Sequence, residues 1–148
     1  GIFHPAMKFT HYLFLVTLLL VTACNSTYEH VAETHPDGST KVTVIYAGQD
    51  TTAGKIAEKR FYENGRLELE GQFDEAGQRQ GQWTYYYKDG KRWSQGMFAH
   101  GLREGPYTVW YENGQKRYEG AYKEDEPTGA WTFWGADGSI QAEKDYGS

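Results

Sequence analysis

The side chains best suited to chemistry are few and scattered. Histidines stand at His4, His11, His30, His35 and His100. Only His30 and His35 lie near each other after the apolar N-terminal stretch, and their spacing fits no zinc-ligand pattern. Glu124, Asp125 and Glu126 bring together charge that calcium would accept, but without the spacing of a calcium loop. A carboxylate pair could do acid–base work if burial raised one pKa. The carboxylates of "YEN", "QFDEAG" and "YKEDEPTG" instead sit among glycines and polar residues, as solvated turns do. No phosphate-binding glycine loop, dinucleotide fingerprint or nucleophile elbow is present. These residues predict a non-enzymatic chain with no metal and no cofactor, so the elements around them must account for its role.

Cys24 is the only cysteine, so no disulfide or cysteine-ligated zinc competes for it. Ahead of it, Met7 and Lys8 precede an apolar run from Tyr12 to Val21, too short to span a bilayer and laid out like a cleaved secretory signal. "VTAC", Val21 to Cys24, resembles the lipobox of bacterial lipoproteins. That resemblance implies cleavage that leaves Cys24 as the mature N-terminus, acylation of Cys24, and anchoring on a membrane by two or three acyl chains. Asn25, rather than aspartate, then favours the outer membrane in a cell that has two. The expected organisation is an upstream extension over 1–6, a signal peptide over 7–23, a lipidated cysteine and flexible tether over 24–41, capping strands over 42–60 and a repeat domain over 61–148.

The net charge is -5 over 148 residues. Lys8 is the only charged side chain before Cys24, so its removal takes the balance to -6. An acidic chain without a basic cluster argues against nucleic acid as a partner. "NSTYEHVAETHPDGST", Asn25 to Thr40, is polar and carries Pro36 and Gly38, and reads as the tether. "KVTVIYAG", Lys41 to Gly48, alternates and is β-branched, so it predicts an edge strand.

Glycines fall at Gly65, Gly90, Gly114 and Gly138, separated by 25, 24 and 24 residues. Gly71, Gly96 and Gly120 form a second series, and Gly81, Gly105 and Gly129 a third. Aromatics keep the same register: Trp83, Tyr107 and Trp131; Phe61, Tyr86, Trp110 and Trp134. The extra residue lies in "QFDEAGQRQ", a connector. Asn-Gly or Asp-Gly between alternating runs predicts a β-hairpin in each unit. With Asn113 and Gly114 as a two-residue turn, Tyr111 faces Lys116, Val109 faces Tyr118 and Tyr107 faces Gly120. With Asp89 and Gly90, Trp83 faces Gly96. A ring over a bare glycine fills the missing side-chain volume. The last unit departs, with Lys144 opposite Trp131, as does the first, with Glu58 opposite Gly71.

The phrases "YENGRLELEG", "YYKDGKRWSQG" and "WYENGQKRYEG", each followed by "GQW", "GPY" or "TGAW", resemble the antitoxin-like variant class of MORN repeats. The resemblance runs from Phe61 to about Tyr146 and implies an all-β, elongated, single-layer antiparallel sheet of stacked hairpins. Tyr107 replaces the usual tryptophan, and Gly135 stands where Tyr87 and Tyr111 stand earlier.

A single layer cannot cover both its faces, so one row of rings should meet water, and exposed aromatic rows mark interaction sites. The expected surface is Tyr86 opposite Trp93, Trp110 opposite Arg117, and Trp134 opposite Gln141. Such rings could equally stack on one another. Together these features predict a membrane-anchored envelope scaffold that binds another protein, or alternatively a glycan-binding module whose rings stack on sugars.

Overall fold

The computed structural model describes residues 26–148. The expected extension, signal peptide and Cys24 lie outside them. Ten strands follow: β1 (Tyr28–Thr34), β2 (Thr40–Tyr46), β3 (Lys55–Phe61), β4 (Leu67–Phe73), β5 (Arg79–Tyr86), β6 (Arg92–Ala99), β7 (Leu102–Trp110), β8 (Lys116–Lys123), β9 (Glu126–Trp134) and β10 (Ile140–Asp145). They lie side by side in chain order in one open sheet, each antiparallel to the next. Packing runs almost wholly between consecutive strands, and no helix occurs among the described residues.

One turn closes all five hairpins. In the β7–β8 hairpin, the Gly114 N–H donates to the Tyr111 carbonyl at 3.0 Å and the Tyr111 N–H to the Gln115 carbonyl at 2.8 Å. Gly114 sits at φ +88°, a conformation only glycine adopts freely. This is a three-residue loop, a tight turn followed by a glycine bulge, rather than the expected two-residue one. The same bond pair closes His35–Ser39, Tyr62–Arg66, Tyr87–Lys91 and Gly135–Ser139.

The longer loop shifts the nearest pairs by one. Trp110 faces Lys116 instead of Arg117, and Tyr86 faces Arg92 instead of Trp93. Arg117 and Trp93 are left as unpaired bulge residues, and beyond them the register returns to the expected one: Val109 with Tyr118, Tyr107 with Gly120, Trp83 with Gly96. Likewise Trp134 faces Ile140, and Gln141 bulges.

The tether expected over 24–41 is corrected by β1, its turn and the start of β2. Asp37-Gly38 carries the same Asp-Gly signal as the later units, and "YEHVAET" pairs with "TKVTVIY". His35 holds the place of the turn tyrosines: its Nε2 donates to the Phe61 carbonyl at 2.8 Å, as the Tyr62 hydroxyl donates to the Tyr86 carbonyl at 2.6 Å. The expected extra connector residue also has its place. Asp74–Gln78 uses the three-residue loop, whereas His100-Gly101 and Glu124-Asp125 are two-residue turns with both residues at positive φ.

A sheet without a second layer builds its core from rings laid flat on glycines. A Cβ added at Gly71 would overlap the Trp83 indole, one at Gly96 the Tyr107 ring and one at Gly120 the Trp131 indole. Each ring therefore covers the glycine of the preceding hairpin, and Trp83 and Tyr107 leave the glycine opposite them in their own hairpin to the next ring. Phe73 and Phe98 close over Trp83 edge-on, with centroids at 5.2 and 6.4 Å, and the Arg79 guanidinium lies 4.2 Å from its centroid. Trp83 is left 1% exposed and Trp131 4%. Burying aromatic area of this size dominates the energetics of such a thin fold.

Candidate functional site

The two faces of the sheet differ in chemistry, and the bulges decide which face each expected site residue joins. Trp83 and Tyr85 alternate with Thr84 and Tyr86, so they define a ring face and an opposite ladder face. Tyr86, Trp110 and Trp134 lie on the ladder face, where Arg92 and Lys116 from the intervening strands face them. The Arg92 guanidinium is 4.4 Å from the Trp110 centroid and the Lys116 ammonium 5.8 Å from that of Trp134. The Tyr86 hydroxyl donates to Glu70 at 2.9 Å; burial first, and then this carboxylate, raise its pKa. The three rings are thus half-buried and partnered by cations or carboxylate.

Trp93 and Arg117 lie on the ring face, because each is the extra residue of its bulge and turns to the opposite side. Trp93 contacts Tyr85 edge-on at 6.0 Å and Tyr87 at 5.9 Å. Arg117 holds its guanidinium 5.6 Å from the Tyr111 centroid. The expected five-residue row is therefore divided: three members on one face, two on the other. Periodicity alone could not show this, since one bulge inverts the facing of a residue.

On the ring face Trp93 and Arg117 border a groove of about 300 Å³. Its floor is low because Ser94 and Val109 stand between the tall rings of Tyr85, Tyr107 and Tyr118. Trp93 remains 44% exposed. Burial pushes the Tyr118 phenol above its ordinary pKa, so it stays a neutral donor at neutral pH. Arg79 closes one side, and among the described residues neither Arg79 nor Arg117 has a carboxylate within 4.0 Å. The groove offers apolar walls, hydroxyl donors and two unpaired cations.

Inter-repeat bonds hold this surface in register. The Tyr87 hydroxyl donates to the Trp110 carbonyl at 2.6 Å and the Tyr111 hydroxyl to the Trp134 carbonyl at 2.8 Å. Gly135 holds the equivalent place in the β9–β10 turn and brings no hydroxyl to it. Sequence reading missed the groove's small-residue floor, although Ser94 and Val109 break the aromatic pattern visibly. Among the described residues no group of three His, Cys, Asp or Glu side chains could hold a metal.

Among solved structures, the chain resembles a GtfA/B complex bound to UDP and GlcNAc, at 15% identity over 71% of this chain and 22% of that one, with a TM-score of 0.40. It also resembles an S. aureus TarM mutant in complex with Fondaparinux, α-GlcNAc-glycerol and UDP, at 15% identity over 81% of this chain and 20% of that one, with a TM-score of 0.33. The chain spans about a fifth of the length of these proteins. No curated protein matches it. The family described as MORN repeat variant matches residues 56–75, 79–100 and 103–124. Each segment spans nearly all of one hairpin, β3–β4, β5–β6 and β7–β8 in turn, so the match is to three consecutive repeats between residues 56 and 124.

Proposed function

We propose that this chain is a non-catalytic, lipid-anchored envelope protein whose repeat sheet binds another protein through its ring face. The observation that carries the reading is the groove between Trp93 and Arg117. A half-exposed indole stands beside tyrosine hydroxyls and an unpaired guanidinium, the residue types that dominate protein interfaces. Anchoring rests on the likeness of Val21 to Cys24 to a lipobox. With β1 beginning at Tyr28, only three residues separate Cys24 from the sheet. Three residues reach about 10 Å, so the first strand would stand close to the lipid, in the outer membrane where there is one. The glycan reading of Tyr86, Trp110 and Trp134 has less support, because cations or a carboxylate already occupy those rings.

Two experiments test this. A fatty acid analogue fed to cells should label the wild type and not Cys24→Ala; equal labelling refutes anchoring. Cross-linked capture from envelope extracts should lose its partner with Trp93→Ala and keep it with Trp110→Ala. Loss with Trp110→Ala alone would move the interface to the ladder face.

A further inference from the structure

The bulge residues form a series of their own. Glu68, Trp93, Arg117 and Gln141 are the unpaired residues of four successive hairpins. Each stands beside the first residue of its own turn. Glu68 lies near enough to Tyr62 to raise its phenol pKa, after the larger effect of burial, and both border one cleft. Trp93 stands on Tyr87 and Arg117 on Tyr111. The Gln141 Nε2 lies 2.9 Å from where a Cβ at Gly135 would be. The scaffold positions around them recur: a turn glycine in all four hairpins, a turn tyrosine in the first three and a ring over the preceding glycine in the last three. The bulge positions do not repeat, running acidic, aromatic, basic and neutral polar. In a repeat array, structure needs the constant positions, and the variable ones on one face are free to read a ligand.

The spacing of the row limits what that ligand can be. Equivalent bulges are two strands apart, and strands lie about 4.7–4.9 Å apart, so the row steps by about 9.6 Å across the sheet. An extended β-peptide places same-side residues about 6.8 Å apart and falls out of step after one repeat. A polyproline II helix rises about 3.1 Å per residue with three residues per turn, so one of its edges advances about 9.3 Å per turn. Aromatic-lined grooves suit that helix, because it is stiff before binding and its rings stack on indole and phenol.

We propose that the ring face binds a proline-rich segment in polyproline II conformation, laid across the strands so that every third residue meets Glu68, Trp93 and Arg117 in turn. Proline sits on Trp93 in the groove that Tyr85 and Tyr118 wall. A basic residue three positions to one side meets Glu68 and an acidic residue three positions to the other meets Arg117; neither Glu68 nor Arg117 has an oppositely charged side chain within 4.0 Å among the described residues. The charges choose between the two chain directions that a polyproline II helix otherwise presents alike. This rests on the protein-binding reading above and names the chemistry of the partner.

The test uses the full chain and three synthetic peptides capped at both ends: RPPPPPE, its register-shifted relative RPPPPEP, and RSASASE without proline, each also in reversed order. Titration calorimetry and tryptophan fluorescence read the dissociation constants. One direction of the first peptide should bind about tenfold more tightly than either control, the scale of one charge-assisted contact. Trp93→Ala should abolish that binding. Arg117→Glu should weaken it about tenfold and prefer RPPPPPK, a reversal that misfolding could not produce. Equal binding of the shifted or proline-free peptide, or no restoration by RPPPPPK, overturns the proposal. So does the absence of any peptide binding, and if Trp93-dependent capture from envelope extracts then persists, only the polyproline reading falls.

Discussion

The Trp83 indole lies across Gly71 of the preceding hairpin, while Gly96, its partner within its own hairpin, lies under Tyr107 of the next. The same step recurs where Trp131 covers Gly120. The β5–β6 and β7–β8 hairpins thus each reach back one unit with a ring and offer their own glycine forward, while β3–β4 only offers Gly71 and β9–β10 only reaches back with Trp131. This makes the contact between repeats, rather than the hairpin, the unit of core packing. It also explains how an open sheet buries tryptophan almost completely without a second layer.

A methyl group at Gly71 should therefore act through Trp83. Gly71→Ala should destabilise by about 1–3 kcal/mol, since the indole must leave its seat. Trp83→Ala should cost about 3–5 kcal/mol. In the Trp83→Ala background the added methyl meets open space, so Gly71→Ala should then cost close to nothing. Urea denaturation of the four chains gives the coupling, expected at about 1–3 kcal/mol. Additive effects would mean that the ring does not rest on that glycine.

The sequence made the repeat and its glycine–ring chemistry legible because both depend on residue type at fixed spacing. Trp83 opposite Gly96 and Lys144 opposite Trp131 were readable from turn position alone. The facing of Trp93 and Arg117 was not, because Asn-Gly and Asp-Gly allow loops of two or three residues, and the choice inverts one side chain per strand. The β1–β2 hairpin was hidden for a related reason. His35 does the work of a tyrosine, and Pro36 beside a polar run reads as linker, although Asp37-Gly38 carried the turn signal. The lipobox likeness of Cys24 rests on sequence alone, since that segment lies outside the described residues.

The tyrosines at the turns should each contribute through one hydrogen bond. Tyr87→Phe leaves the Trp110 carbonyl without its 2.6 Å partner, and Tyr111→Phe does the same to the Trp134 carbonyl. Each should lower stability by about 1 kcal/mol with an unchanged denaturant slope, because the ring still packs. Tyr85→Phe removes only a long 3.4 Å contact from Arg79 and serves as the control. A loss as large in the control would assign the effect to the tyrosine count rather than to the bonds.

Two non-glycine residues hold left-handed backbone in the β8–β9 turn, Glu124 at φ 49° and Asp125 at φ 70°. The equivalent β6–β7 turn is His100-Gly101. Asparagine tolerates this conformation better than glutamate, so Glu124→Asn should raise stability by about 0.5–1 kcal/mol. Asp125→Gly should leave stability near wild type, because relief of the backbone is offset by loss of the 2.5 Å ion pair with Arg103. Thermal melts of both variants decide the matter, and destabilisation by Glu124→Asn would contradict the turn geometry.

Alkaline pH should dissolve the sheet through its phenols. Burial, the largest cause in each case, raises the pKa of Tyr62, Tyr86, Tyr87, Tyr118 and Tyr122 above the ordinary 10.0. A phenol raised in this way gives up its proton more readily from the unfolded chain than from the folded one. The stability it supports is complete below pH 10.0 and is lost as pH climbs through the folded-state value. The melting temperature should therefore hold steady from neutral pH to about 10 and then fall. The share of phenolate absorbance that belongs to these five tyrosines should rise together with the loss of tryptophan burial. Tyr118→Phe, which removes one such group beside Trp131 at 6.1 Å, should soften the fall above pH 10. Titration of these five phenols at the ordinary value, with fluorescence unchanged, would show their rings to be freely solvated.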